Sequence, residues 1–208
     1  MSASRSLPNR VNPFGQFCVT AERGTLMGNR GGRLHRDDGT LGARRWASRA
    51  WIACRCEFKG RRRAVWGASY TELFFLDEPT AFAAGHRPCF ECRRADALGF
   101  RDCLGGGLMA DEIDRRLHEE RREGRRQRRH RRPFGSLPEG AFVALEGAPY
   151  AVREDALLPW RFSGYGAPRA RPKGEAEVLT PPLILAALSA GYPARFFDAL
   201  ALTQPRRF

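Results

Sequence analysis

Two closely spaced pairs of cysteines constrain the fold of this chain more than any other feature of its sequence. Cys54 and Cys56 form the first pair, and Cys89 and Cys92 form the second. Thiolates from two such pairs are a common ligand set for tetrahedral zinc, which fixes separate parts of a chain around one ion. We therefore predict one Zn²⁺ bound by these four cysteines.

The residues before the second pair predict how its sulfurs are directed. Gly85 ends a short helix, and the Arg87-Pro88 dipeptide prevents its continuation, so Cys89 lies on a turn. Cys92 then begins a helix over 92–103, whose N-terminus favours the thiolate form. A redox pair is the weaker alternative, because the βαβ pattern of a thioredoxin-like site is missing.

The first pair has a simpler alternative, because a free cysteine often behaves as a small buried hydrophobe. Spaced by two, Cys54 and Cys56 would share one face of a strand and could reach one metal only where the strand bends or ends. Other side chains would otherwise complete the tetrahedron. The reserve ligands are His35, His86 and Cys18.

No stretch of the sequence has the length and apolar character of a membrane span or of a signal-peptide core. We therefore expect a cytoplasmic protein with no membrane partner. In that reducing compartment the six cysteines are not expected to form a disulfide framework.

Strand and helix signals follow one another irregularly and predict an α+β fold. Residues 50–58 and 62–67 are predicted to pair as a hairpin around Lys59-Gly60, since both runs are rich in β-prone residues. The apolar run YTELFFL predicts a further strand, and Asp77 begins a short helix as its N-cap.

The C-terminal part predicts a hairpin that turns at Glu146-Gly147, a short strand ALLPW, and a strand that enters a helix. Thr180 is the predicted cap of that helix and Gly191 its end. Tyr165 lies in a loop rich in glycine, proline and basic residues, where it is expected either to stack on a base or to pack within the turn.

These signals divide the chain into four segments. The first is an arm, the second a small zinc-stabilised hairpin and helix unit, the third a basic helix and linker, and the fourth a small α+β module. Their predicted bounds are 1–24, 25–109, 110–133 and 134–208.

The chain carries a formal net charge of +13, and all of its basic residues except Lys59 and Lys173 are arginines. Arginine's planar fork suits phosphate and guanine, so a nucleic acid, DNA rather than RNA, is the expected partner. Much of the charge follows a predicted helix over 110–123, as either a solvated linker or an arm that contacts phosphates. The predicted phosphate contacts are Arg61, Arg62, Arg63, Arg121, Arg122, Arg125, Arg126, Arg128, Arg129, Arg131 and Arg132.

A second constellation on the predicted helix consists of Asp111, Asp114 and His118, which share one face. Such a trio can hold a divalent metal for phosphodiester hydrolysis. A solvated face paired with neighbouring arginines is the more common arrangement.

Residues 74–94, FFLDEPTAFAAGHRPCFECRR, resemble the second half of the zinc-binding domain of Ada-type DNA methyl-phosphotriester repair proteins. In that family a strand leads into a short helix with the pattern A-x-A-A-G-[FY]-R-P-C-x-x-C, and two further cysteines lie upstream on a hairpin. The resemblance implies that Cys89 and Cys92 are the second ligand pair. His86 replaces the aromatic residue of the family pattern, and the spacing of the upstream pair is shorter. Outside this stretch the chain is similar to a group of bacterial proteins with a comparable Leu-Thr-Pro-Pro segment, which implies no function.

The sequence therefore predicts a non-catalytic zinc protein that binds nucleic acid through its arginine-rich segments. The alternative is a DNA-processing enzyme. It would either transfer a methyl group to a zinc-bound cysteine, as the resemblance implies, or cleave DNA with a divalent metal.

Overall fold

The computed structural model of the chain describes residues 6–60 and 64–198. Within these ranges, helices and three sheets form a mixed α+β fold, which confirms the predicted fold class. No helix in this part of the chain is long and apolar enough to cross a bilayer.

The first sheet contains six strands in the order β2-β1-β5-β3-β4-β6. Its central strand β3 is antiparallel to both neighbours, and the edge strand β6 runs parallel to β4. The strands are β1 (Arg10–Val11), β2 (Phe17–Cys18), β3 (Leu26–Asn29), β4 (Ile52–Arg55), β5 (Leu73–Phe75) and β6 (Arg87–Pro88).

The predicted hairpin of residues 50–58 with 62–67 is wrong. β4 pairs instead with β3, with Cys54 opposite Met27, and its other edge is occupied by β6. Lys59 and Gly60 do form a turn, with φ of 52° and 64°. The turn signal was therefore read correctly, but a turn does not identify the partner of the strand before it.

Helix α1 (Glu78–Ala83) confirms the helix predicted after the YTELFFL strand. Its N-cap Asp77 accepts a hydrogen bond from the backbone N–H of Thr80 at 3.0 Å, as the cap signal predicts. Gly85, with φ of 79°, follows the helix and leads directly into β6. Helix α2 (Arg94–Asp102) begins two residues later than predicted, so Cys92 lies in the turn before it.

Helix α3 (Ala110–Glu120) also matches its prediction, but the segment after it is not a linker. Strands β7 (Arg122–Glu123) and β8 (Arg126–Gln127) form a small hairpin, and β9 (His130–Pro133) joins the second large sheet. Of the eight predicted phosphate contacts that the structure describes, five therefore lie on short strands and turns: Arg122, Arg125, Arg126, Arg131 and Arg132.

The second large sheet is built on the order β13-β12-β11-β10-β15-β9, with β14 also paired to β12. The predicted turn at Glu146-Gly147 is confirmed, since both residues have the positive φ, 53° and 78°, of a tight two-residue hairpin. The remaining strands are β10 (Phe142–Leu145), β11 (Ala148–Arg153), β12 (Ala156–Arg161), β13 (Gly164–Tyr165), β14 (Arg169–Ala170) and β15 (Glu175–Val178).

Helix α4 (Pro182–Ser189) ends just before Gly191, as predicted, but Thr180 is not its cap. The N-cap is Pro181, and the Thr180 hydroxyl accepts a hydrogen bond from the backbone N–H of Phe142 at 2.9 Å. The residue fastens the start of the helix to β10 instead.

Two hydrophobic clusters combine residues from both halves of the chain. In one, Phe82 and Phe100 pack with Ile184 of α4. In the other, Ala83 packs with Leu179. The four-segment division stays a prediction, but its second and fourth segments share these two cores.

Candidate metal centre and arginine cleft

Three of the four predicted metal ligands come together. The sulfurs of Cys54, Cys89 and Cys92 all lie within 4.8 Å of one another. β4 provides the first, and the turn between β6 and α2 provides the other two. A backbone hydrogen bond of 3.0 Å from Cys89 N–H to the Ala53 carbonyl holds this turn against β4.

The three thiols share protons in a way that suits a cation. Hydrogen bonding to Cys89 raises the pKa of Cys54, and the same bond lowers the pKa of Cys89 to about 5. The pKa of Cys92 is also lowered, chiefly by its hydrogen bond with Cys54. The lowered pKa values of Cys89 and Cys92 favour their thiolate forms, and a divalent metal binds cysteine as thiolate and displaces the remaining proton.

Backbone amides support the sulfurs from outside. The N–H of Glu91 donates to Cys89 Sγ, and the N–H of Arg55 donates to Cys92 Sγ, each at 3.4 Å. Donors to a ligand atom stabilise its charged form and fix its orientation, as the outer partners of metal ligands do. The donor set therefore fits zinc, with three thiolates and room for a fourth ligand.

Cys56 is not part of this group of three, although it was predicted as a ligand. It is exposed, and its thiol donates to the Thr25 carbonyl at 3.3 Å. It nevertheless lines the same cavity, of about 240 Å³, as the three grouped cysteines.

The reserve ligands are all elsewhere. His35 Nδ1 hydrogen-bonds the Thr71 hydroxyl at 2.7 Å, and His86 lies in the core against Phe75. Cys18 is a half-buried free thiol on β2. Their use as zinc ligands is not supported by this arrangement.

A much larger concavity, the arginine cleft, lies on the other face of the first sheet. Alternation along β4 directs Ile52 and Cys54 towards the cysteine cavity, whereas Trp51 lines the cleft. The cleft has a volume of about 830 Å³. Its lining residues are Phe14, Gly15, Gln16, Phe17, Arg30, Leu41, Arg45, Trp46, Trp51, Ala84, Arg121, Arg122, Glu123, Arg125, Arg126, Gln127 and Arg129.

Two buried guanidinium groups, from Arg30 and Arg121, lie against Trp51 in this cleft. Each has its central carbon 3.9 Å from the centroid of the indole ring, and the two arginines are only 3% and 2% exposed.

The hydrogen bonds of these two guanidinium groups go to neutral acceptors. Arg30 donates to His86 Nε2 at 3.3 Å and to the Gly15 carbonyl at 3.1 Å. Arg121 donates to the carbonyls of Gly85 and Arg49. Among the described residues, neither forms an ion pair with a carboxylate.

The electrostatic consequence is visible in neighbouring groups. Burial lowers the pKa of Arg30 well below its usual range, and Arg121 and Arg122 lower it further. Burial and the same kind of arginine neighbours lower the pKa of His118 to about 4, so that this imidazole is neutral at physiological pH. The Asp114 carboxylate opposes this field at Arg121 without forming an ion pair with it, and the positive field that remains is what an anion-binding site presents.

Aromatic rings hold further arginines of the cleft by their flat faces. The guanidinium of Arg122 lies 3.2 Å from the Trp46 ring centroid, and that of Arg129 lies 5.4 Å from the Phe14 ring centroid. Stacking uses the face of the planar group and leaves its N–H donors, which point outward in the plane, available to an acceptor. Arg122 is therefore held in place without being neutralised, whereas Arg129 also pairs with the Glu177 carboxylate.

The predicted phosphate contacts divide into distinct groups. Arg122, Arg125, Arg126 and Arg129 line the cleft, although Arg129 also pairs with Glu177. Arg121 also lines it, but as a buried residue rather than as part of an exposed arm. Arg128, Arg131 and Arg132 are exposed and do not line it. Arg61, Arg62 and Arg63 lie outside the described residues.

The predicted trio of Asp111, Asp114 and His118 does not form a metal site. Asp114 accepts a two-pronged ion pair from Arg87, at 2.8 and 2.7 Å. His118 lies at the edge of the Trp46 and Trp51 rings, with a hydrogen bond to Arg121. The carboxylate thus neutralises a buried cation, as the alternative of arginine pairing predicts.

Tyr165 does not present a free ring to a base. Its hydroxyl donates to Asp77 Oδ2 at 2.7 Å, and its ring packs near Phe142 and Phe196. The residue fastens the C-terminal sheet to the start of α1, so packing is the correct interpretation of its loop.

Sequence reasoning missed the floor and one wall of the cleft. Arg30, Trp46 and Trp51 were not selected as site residues, yet all line it. A usable signal was the run RRWASRAW at 44–51, where arginines and tryptophans alternate in a segment without strand or helix character. Such interleaving of cations with aromatic rings is typical of nucleic-acid-binding surfaces.

No protein-family model, no curated protein and no solved structure matches this chain.

Proposed function

We propose that the protein is a zinc-containing nucleic-acid-binding protein that contacts phosphates through the arginine cleft and has no catalytic role. One observation carries the proposal. The cleft gathers arginines that aromatic rings hold in place, and the described residues do not pair Arg30, Arg45, Arg121, Arg122, Arg125 or Arg126 with carboxylates. An anionic polymer supplies the missing counter-charge.

Zinc is the proposed metal of the cysteine centre. Three thiolates select a soft or borderline metal over magnesium or calcium, which take oxygen ligands. The resemblance of residues 74–94 to Ada-type proteins agrees with this choice. Cys56 is the proposed fourth ligand, because it lines the cavity onto which the other three cysteines open and directly follows the end of β4.

Binding to DNA tests the cleft directly. The triple variant Arg122→Gln, Arg125→Gln, Arg126→Gln removes three charges from it, and Arg128→Gln, Arg131→Gln, Arg132→Gln removes three charges elsewhere in the same segment. If the first three contact phosphates, the slope of log affinity against log salt falls in magnitude by about 2–3. The control variant is expected to change it by less than about 1. Equal slopes for the wild type and the first variant would overturn the proposed contact surface.

The metal centre has its own test. Cobalt substituted for zinc reports thiolate ligands through charge-transfer absorption, whose intensity rises with the number of bound sulfurs. The wild type is expected to show four thiolates and Cys56→Ser three. An unchanged spectrum in Cys56→Ser would remove Cys56 from the ligand set, and protein purified without chelator that contains no zinc would remove the metal itself.

A further inference from the structure

Resting on the proposed function, we infer that the arginine cleft takes an unpaired, single-stranded segment of nucleic acid rather than a duplex. Three features of the cleft favour a single strand: its buried floor, its stacking surfaces and an unpartnered donor on its floor.

The floor of the cleft is formed by nearly buried side chains, which favours a flexible ligand over a rigid one. Arg30 is 3% exposed and Trp51 is 6% exposed, yet both line the cavity. A duplex is a stiff, convex rod with its bases stacked inside. A flexible single strand can direct one phosphate or one base inward. The volume of about 830 Å³ lies in the range of pockets that enclose small ligands and accommodates a few nucleotides.

The walls offer flat surfaces on which a base can stack. Trp46 is partly exposed, lines the cleft and already stacks with the Arg122 guanidinium. Phe14 and Phe17 are also partly exposed lining residues, each with a guanidinium nearby. Bases stack on aromatic rings and on guanidinium planes only when they are out of a double helix.

A donor on the floor has no partner. Arg121 Nε is buried and has no hydrogen-bond partner among the described residues, while the other two nitrogens of that guanidinium donate to protein carbonyls. A buried N–H without an acceptor is unfavourable, so the cleft floor favours a ligand that brings an acceptor such as a phosphate oxygen. The same oxygen would lie in the positive field of Arg30 and Arg121.

Three labelled DNA probes of about 12 nucleotides test the inference with the wild-type protein alone. They are a single strand without self-complementarity, the duplex of the same sequence, and a strand of the same length whose central residues are abasic. Anisotropy titrations at one salt concentration give their affinities. The single strand is expected to bind at least about tenfold more tightly than either of the others, since each stacked base contributes enough for such a factor.

Trp46→Leu and Trp66→Leu provide a matched pair of variants. Trp46 lines the cleft, whereas Trp66 stacks on His35 outside it. Trp46→Leu is expected to reduce the preference for the single strand about tenfold without changing the salt slope, and Trp66→Leu to leave both unchanged. Circular dichroism checks that each variant is folded. If Trp46→Leu does not fold, the comparison of the intact and abasic strands with the wild-type protein still tests whether bases stack in the cleft.

The outcomes separate this inference from the proposed function. Equal affinity for duplex and single strand, or for the abasic and intact strands, would overturn the inference while nucleic-acid binding stands. A nucleoside monophosphate that competes as well as the oligonucleotide would also overturn it, because a strand would then not be the ligand. If none of the three probes binds at low salt, the proposed function itself fails.

Discussion

The cysteine centre and the arginine cleft lie next to the same strand, β4, but place opposite demands on the protein. β4 carries Cys54 on one face of the first sheet, and Trp51, just before that strand, faces the cleft. At the centre, a metal among three sulfurs would convert ligand binding into folding free energy. In the cleft, two guanidinium groups are buried without an ion-pair partner among the described residues, which opposes folding.

This difference suits the cysteine centre to stabilising the fold and the cleft to binding an anion. A group that is unfavourable in the free protein and favourable with an anion bound is what a binding site requires. The cysteine centre can then supply the stability that the cleft lacks. Between them lies the buried ion pair of Arg87, two residues before Cys89 in the chain, with Asp114 of α3. Removing groups from each region should therefore change stability in opposite directions.

The largest effect is expected at the metal. Cys89→Ser removes a ligand from the group of three, so zinc should be lost together with about 4 kcal/mol or more of stability. This is the stabilisation that a ligand gives when its free concentration is about 1,000 times the Kd of its site. Elemental analysis and urea denaturation measure both quantities. Cys103→Ser is the control, because Cys103 is a half-buried cysteine outside the group. Full zinc content in Cys89→Ser would contradict the assignment.

The ion pair between the two regions comes next. Arg87→Met leaves Asp114 buried without a partner, and we expect a loss of about 3 kcal/mol in the free energy of unfolding. In the double variant Arg87→Met, Asp114→Leu no charge is left uncompensated, so most of that loss should be recovered. A double variant as unstable as the single one would show that the pair itself, rather than the isolated charge, stabilises the protein.

Removing charges from the cleft should raise the stability of the protein, in contrast to the two changes above. The triple variant Arg122→Gln, Arg125→Gln, Arg126→Gln reduces repulsion within it and is expected to raise Tm by about 2–4 °C at low ionic strength. Screening weakens that repulsion, so the difference should shrink at about 0.5 M salt, which serves as the internal control. Calorimetry of the wild type and the triple variant at the two salt concentrations measures the difference in Tm. A triple variant with a lower Tm than the wild type would remove the contrast between the two regions.

The smallest effect is a dependence on pH. His118 has a pKa of about 4 in the folded protein, against an ordinary value near 6.5, so between these values the unfolded chain binds a proton that the folded chain does not. Its contribution therefore makes stability decrease as pH falls from about 6.5 towards 4. His118→Gln should show a shallower decrease in Tm between pH 7 and 5. Because metal loss at low pH affects both proteins, the comparison isolates His118.

Local chemistry made parts of both regions predictable. The Asp77 cap, the Gly85 end of α1 and the turn that carries Cys89 all depend on interactions within a few residues. The spacing of the cysteines likewise selected four ligands, three of which come together. Short-range signals of this kind need no knowledge of the rest of the fold.

Long-range pairing could not be predicted in the same way. β4 was assigned to a hairpin with the residues that follow it, but its partners are β3, earlier in the chain, and β6. Arg30 and Arg121 come together over Trp51 from distant positions, and neither local sequence indicates burial. Tyr165 was placed in an open loop because its partner Asp77 belongs to another part of the chain. In each case tertiary contacts decide between alternatives that the local residues permit equally.

The two shared hydrophobic clusters also have a consequence for the order of events during synthesis. Phe82 and Ala83 of α1 are fully buried, but their clusters include Leu179 and Ile184. While the C-terminal residues are still within the ribosome, the faces of α1 that these residues cover have nothing to pack against. The cysteines can emerge and take up metal before then, so the centre can hold β4 and β6 together as a template on which the later half of the chain condenses.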